Sequence, residues 1–178
     1  MRSIKAFVIG VIVMIGFLGI LALLLPSKVT VSKSILINAA ESDVAKEIEN
    51  FKNWKNWHPA FQNKNIIATI FQKGDSSFVT LTGEKQRKLT MTMIKPGPEN
   101  IDIFLFAKDK NNITWQFILS VKSTGQTQLI WNVNTIFPWY PWKKIAGIFL
   151  DKVTGSQYQE ILQNLKKTVE LHQEGSPG

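Results

Sequence analysis

ITWQFILSVKSTGQTQLIWNVNTI (Ile113–Ile136) is the stretch from which the fold can be read. Ile113, Trp115, Phe117, Leu119 and Val121 recur at every second position, so an extended chain places them on one face. Leu129, Trp131, Val133 and Thr135 do the same in the second half, while Gln128, Asn132 and Asn134 take the other side. The link Ser123–Gln126, which contains Gly125, is too short for anything but a hairpin. Two such strands make a one-sided antiparallel sheet, and its apolar face must be covered by another layer.

Upstream the same pattern repeats. Strands are expected at Asn65–Gln72, Ser77–Gly83, Lys88–Lys95 and Asn100–Ala107, ahead of Ile113–Lys122 and Thr127–Ile136. Turns fall at Lys73-Gly74-Asp75, Glu84–Gln86, Lys95-Pro96-Gly97-Pro98 and Lys108–Asn112. These links are all short, which makes the six strands a meander. Thr and Ser are frequent in the earlier strands, which also carry Met91, Met93 and Phe104.

Downstream lies the expected cover. Phe137-Pro138-Trp139-Tyr140-Pro141-Trp142 reads as a rigid aromatic link that is not helical. Lys143–His172 contains no proline and predicts one helix of about thirty residues, with Ile145, Phe149 and Val153 and then Tyr158, Ile161, Leu165 and Val169 at helical spacing. Gly155, between the two runs, marks a kink or a close contact. Gln173–Gly178 is expected to fray.

The front of the domain supplies one more strand, Val29–Ile37, alternating Val29, Val31, Ile35 and Ile37 with Thr30, Ser32 and Ser34. Asn38 stands three residues before Glu41, the spacing of an amino-terminal cap with a reciprocal acid, and predicts a helix to about Asn50. Phe51, Trp54, Trp57 and His58 then follow at threes and fours before Pro59, so a turn or two of helix gathers them on one side. They read either as an aromatic plug closing the core or as a wall of an apolar pocket. His58 is not a metal site by itself, since the only other histidine is His172.

One strand, two short helices, six antiparallel strands and a long final helix give the order β-α-α-β6-α, an α+β arrangement. It resembles the helix-grip fold of the START-like (SRPBCC) superfamily, which includes birch-pollen-allergen-like and polyketide cyclase-like proteins. VSKSILINAAESDVAKEIENFKNWKNW (Val31–Trp57) resembles the first strand, Ala-rich cap and paired tryptophans of that family, here Trp54 and Trp57. FLDKVTGSQYQEILQNLKKTVE (Phe149–Glu170) resembles its closing helix. The similarity covers Lys28–Glu174, the middle strands matching in pattern only. It implies a curved seven-stranded antiparallel sheet gripping the last helix, with a cavity for an apolar ligand between them. It implies no reaction, because members bind lipids, cyclise polyketides, carry metal centres or assist partners. The Cys-and-His iron signatures of the oxygenase relatives are absent.

Ahead of the domain runs AFVIGVIVMIGFLGILALLL (Ala6–Leu25), twenty residues without a charge. As a helix this spans about 30 Å, the hydrocarbon thickness of a bilayer. A cleaved signal peptide would have a shorter core and end in a small-x-small site, so an uncleaved signal anchor is expected, as in the membrane-tethered bacterial relatives. Arg2 and Lys5 before the helix favour an inside amino terminus and a domain on the periplasmic (extracytoplasmic) side of the inner membrane, although Lys28 and Lys33 dilute the asymmetry. The layout is then an anchor over 1–27, a domain over 28–174 and a tail over 175–178.

The net charge of the 178 residues is +8; setting Arg2 and Lys5 aside, 19 of the 21 basic residues remain against 13 acidic ones, a net of +6. The basic clusters Lys85–Arg87–Lys88, Lys143–Lys144 and Lys166–Lys167 are short and read as a solvated face or as attraction to anionic lipid. No nucleic-acid motif accompanies them. Cysteine is absent, which excludes disulfides, thiolate metal sites and cysteine nucleophiles.

Three functions fit. A membrane-anchored, non-catalytic binding module would hold a lipid or other hydrophobic small molecule, with Trp54, Trp57, His58, Phe104, Trp115, Trp131, Phe149 and Val153 as cavity candidates. For any one of these aromatics taken singly, core packing is the better explanation. An accessory subunit of a larger membrane complex would dock through its anchor and Phe137–Trp142. A cyclase-like enzyme would need an acid or base in the pocket, for which His58, Asp102 and Glu84 are the candidates. None of these readings calls for a cofactor or a metal.

Overall fold

The hairpin read above lies second and third from one edge of a seven-stranded antiparallel sheet in the computed structural model, which describes residues 2–74, 76–97, 99–107 and 112–174. The strands are β1 (Lys28–Ile37), β2 (Ile67–Lys73), β3 (Ser76–Thr82), β4 (Lys88–Gly97), β5 (Asn100–Ala107), β6 (Asn112–Ser123) and β7 (Gln126–Ile136). Their order is β1-β7-β6-β5-β4-β3-β2: a meander from β2 to β7, with the first strand closing onto the last. Register aligns the apolar positions into one inner face. Val31 lies opposite Val133, Val133 opposite Trp115, Trp115 opposite Ile103, and Ile103 opposite Met93. All five of these residues are buried, whereas Ser32, Ser34 and their outer-face neighbours are not.

A long helix, α5 (Leu150–Glu174), lies along the inner face beside β1 and buries Leu162, Leu165 and Val169 there. Polar ties fix its far end. Lys166 Nζ donates to the Leu36 carbonyl at 2.8 Å, and the Asn38 amide donates to Glu170 Oε1 at 2.8 Å. The end of the sheet is closed by α2 (Glu41–Glu49), a 3₁₀ turn (Asn53–Asn56) and α3 (Pro59–Gln62). In α2 the i, i+4 pair Val44 and Ile48 is buried as the spacing requires.

Several expectations are corrected. Asn38 does not cap α2: the cap position is Ala40, without a side-chain bond, and Asn38 instead meets Glu170 and Gln126. The single helix over Lys143–His172 is two helices, α4 (Pro141–Ile148) and α5, broken at Phe149 (φ −91°, ψ 1°). The link Phe137–Trp142 is therefore helical at its end, because a proline fits the first turn of a helix, where its missing N–H costs nothing. Gly155 marks a close contact: a Cβ there would meet Lys33 Cε at 2.9 Å. Helix α5 continues through Gln173 to Glu174, so of the expected tail only 175–178 remain, outside the described residues, as are Asp75, Pro98 and 108–111 of three expected turns. Strand β4 runs on to Gly97 through a register shift after Ile94. Val121 is exposed beside a register shift, after which the ladder of β6 and β7 makes its last pair at Ser123 and Gln126.

At the front, α1 (Arg2–Leu24) is a 23-residue helix, long and apolar enough to cross a membrane, and its window Ser3–Ile20 is not buried against the protein. It ends one residue before the expected limit at Leu25. Three residues separate it from β1, and two bonds hold that junction. The Phe137 amide donates to Ser27 O at 2.7 Å, and Lys144 Nζ donates to Leu25 O at 3.0 Å.

Candidate ligand groove and aromatic cluster

The segment from Phe51 to Phe61 folds so that its rings point inward. The amides of Trp57 and His58 return to Trp54 O, closing a tight turn, and Trp54 Nε1 donates to Ile48 O at 2.8 Å. Pro59 then opens α3, and His58 caps it by accepting the Ala60 amide on Nδ1 at 3.2 Å. Trp54 packs on Phe51, Trp57, His58 and Phe61 with centroids 4.8–5.3 Å apart. The cluster continues across the sheet: His58 stacks on Trp115 at 5.7 Å, Trp115 meets Trp131 edge-on at 5.2 Å, and Trp131 meets Tyr158 of α5 at 5.0 Å.

Five of the expected lining residues are thus brought together: Trp54, Trp57, His58, Trp115 and Trp131. The other three are not. Phe104 lies opposite Thr92 and Thr114 on the outer face of β5, because it is out of phase with the buried Ile103 and Leu105. Phe149 and Val153 sit at the α4–α5 junction and are exposed, because the break turns them away from the sheet. Between α5 and the inner face, Trp131, Tyr158, Leu162 and Leu165 pack as part of the core.

His58 is neutral. Burial in the aromatic cluster holds its imidazole down to about 4. Since Nδ1 accepts a hydrogen bond, the ring proton belongs on Nε2. That Nε2, Trp57 Nε1 and Trp131 Nε1 are buried N–H donors with no acceptor among the described residues. The three acid–base candidates do not converge. His58 is on the inner face, Asp102 is on the outer face of β5, and Glu84 is exposed between β3 and β4. Among the described residues no three His, Asp or Glu side chains gather where a metal ion would be held. Glu47, whose carboxyl is raised by burial, pairs at 3.5 Å with His172.

Beside the cluster an open groove of about 940 Å³ runs between α2 with its following turn and the edge strand β2 with its neighbours β3 and β4. Phe51, Ile70 and Met93 give it apolar walls, and Lys46, Lys52 and Gln72 are among its polar residues. Phe51 belongs to both groove and cluster. The groove exists because β2 is an edge strand lying beyond the reach of α5, with Ala68 and Gln72 left exposed on its inner face. The sequence reading marked Phe51 but missed the rest. Its one usable signal was that the meander begins at β2, which leaves that strand without a second neighbour.

No protein-family model matches the chain, and no curated protein matches it. Solved structures do. An aromatase/cyclase (ZhuI) from Streptomyces sp. R1128 superposes with a TM-score of 0.61 at 12% identity, covering 80% of this chain and 94% of the other. A START superfamily protein from Mycobacterium smegmatis gives 0.62 at 17% identity, with 80% and 98% covered. The di-domain aromatase/cyclase StfQ of the steffimycin biosynthetic pathway gives 0.63 at 10% identity, with 83% of this chain and 52% of that one covered. Strand order, closing helix and these superpositions agree: the chain folds as a helix-grip domain of the START-like type.

Proposed function

We propose that this protein is a membrane-anchored binding module that holds a hydrophobic small molecule carrying a polar or acidic head, such as a lipid, in the groove beside the aromatic cluster. The observation that carries the reading is the groove itself. Its volume of about 940 Å³ is of the size that takes a drug-sized or lipid-sized ligand, and its apolar walls end in polar residues that include Lys46 and Lys52. The expected place between sheet and closing helix gives way to this one, since Trp131, Tyr158 and Leu162 pack there. The separation of His58, Asp102 and Glu84 favours binding over turnover. The START-like fold of the neighbours supports a ligand-binding role without naming the ligand.

Helix α1 is the anchor, spanning the inner membrane with the domain on the periplasmic side, as Arg2 and Lys5 at its amino-terminal end favour. The ten residues of β1 lead from the anchor to α2, about 30 Å at 3.3 Å per residue, and the groove lies at that far end. The ligand therefore enters from the aqueous side. The test is gentle purification of the full chain, mass spectrometry of its extract, and displacement of a bound fluorescent fatty acid. Gln72→Trp, which fills the groove from an exposed position of β2, should lower probe affinity at least tenfold, on the order of 1.4 kcal/mol, with little change in the unfolding temperature. A protein that carries no lipid and shows no displaceable probe overturns the reading.

A further inference from the structure

The outer face of α4 is apolar, and nothing among the described residues covers it. Pro141, Lys144 and Gly147 form the buried side, which rests on the anchor junction: Lys144 reaches Leu25 O, and the Gly147 backbone lies against the Phe137 ring. The opposite side presents Trp142 (65% exposed), Ile145, Ile148 and Phe149 (55%), continued by Val153 (67%) in α5 and preceded by Trp139 (72%). Exposed apolar residues at this density on a water-facing helix need a partner.

Position decides which partner. Helix α4 contacts α1 directly, at the end where the anchor's own Leu23 and Leu24 are exposed. Along α5 the pattern changes after Val153: from there to Lys167 the exposed residues are Ser156, Gln157, Glu160, Gln163 and Lys167, and Leu171 stands alone near the opposite end of the helix. The apolar patch is thus confined to the anchor end. It carries Trp139, Tyr140 and Trp142, the side chains that favour a membrane–water interface, with Lys143 and Lys152 exposed beside them.

We propose that α4, with Trp139 before it and Val153 after it, is an interfacial membrane helix that rests the domain on the bilayer surface beside the anchor. This inference rests on α1 being a membrane span. The occupant is lipid, because the patch is continuous with the apolar end of α1 and the bonds from Lys144 and Phe137 hold the two in fixed relation. Two attachments to one surface would stop the domain from swinging about the three-residue link and would hold the groove at a set height.

The chain has no cysteine, so single spin labels can be placed cleanly. Ile145→Cys and Phe149→Cys report on α4, Ile12→Cys on the anchor and Ser32→Cys on an exposed strand position. The full chain is reconstituted in phosphatidylethanolamine–phosphatidylglycerol vesicles, and each label is tested for collision with oxygen, which partitions into lipid, and with a polar nickel chelate, which stays in water. The expected result is that labels at 145 and 149 lose nickel accessibility and keep oxygen accessibility, as 12 does and 32 does not. Labels at 145 and 149 that are open to nickel while 12 is shielded overturn the proposal and leave the anchor standing. Shielding of 145 and 149 from both reagents also overturns it, because a protein surface then covers the face. Nickel access at 12 overturns the anchor and the proposal together.

Discussion

His58 shows how much one side chain depends on its surroundings. It stacks on Trp54 and Trp115, caps α3 through Nδ1, and stays neutral because burial holds its titration down to about 4. Unfolded, the same imidazole takes up a proton near pH 6.5. As pH falls through that interval the unfolded chain binds a proton that the folded chain refuses. Its contribution, fully present above pH 6.5, is therefore lost on acidification, by about 3 kcal/mol once pH 4 is passed. Glu47 opposes this, since burial raises its carboxyl and acidification relieves its charge. His58→Asn separates the two: asparagine keeps a capping acceptor and does not titrate. Unfolding temperature against pH should be lower for the variant at pH 7, from lost ring packing, and flatter between pH 6.5 and 4. Parallel curves would show that His58 does not carry the acid response.

Among the elements, the two glycines of the closing helices differ in what they face. A Cβ at Gly147 would meet Phe137 Cε2 at 2.7 Å, a buried ring locked under α4 with little room to move. A Cβ at Gly155 would meet Asp151 Oδ1 and the end of Lys33, an ion pair of 2.9 Å formed by flexible and partly exposed side chains. Gly147→Ala should therefore destabilise by about 1–3 kcal/mol through overpacking. Gly155→Ala should stay within about 1 kcal/mol of the parent, because the gain in helix propensity offsets a weak surface pair. Thermal unfolding followed by tryptophan fluorescence compares them, and equal losses would contradict this account of the α4 contact. The break at Phe149 belongs to the same scale. One straight helix cannot seat Gly147 on Phe137 and also lay Leu162, Leu165 and Val169 along the sheet, so the chain breaks between the two tasks.

For the whole molecule, anchor and domain act as one body if α1 spans the bilayer and α4 rests on it. The full chain should then stay in the membrane pellet through alkaline carbonate extraction, and Val13→Lys, a charge in mid-span, should release a large fraction of it. In intact cells stripped of any outer barrier, an impermeant maleimide should label Ser32→Cys on the exposed outer face of β1 without lysis. Labelling only after lysis would reverse the orientation while leaving the anchor in place.

The sequence by itself determined the strands, because period-two alternation between short turns leaves one face to be buried, and Trp115, Phe117, Leu129 and Trp131 fall on it. It determined an apolar helix ahead of the domain from twenty uncharged residues, and it gathered Trp54, Trp57 and His58 from their spacing alone. Tertiary structure decided what spacing cannot express. The Asn38 backbone binds Glu170, which is 132 positions away in the chain, so the local cap signal lost to a distant partner. Phe104 faces outward because β5 keeps the phase of Ile103. Phe149 and Val153 left the cavity because α4 and α5 answer to different neighbours. The groove lies at β2 because an edge strand has a neighbour on one side only and α5 covers the opposite edge. Local periodicity fixes which face of an element is apolar; which neighbour covers that face is set by contacts between residues far apart in the chain.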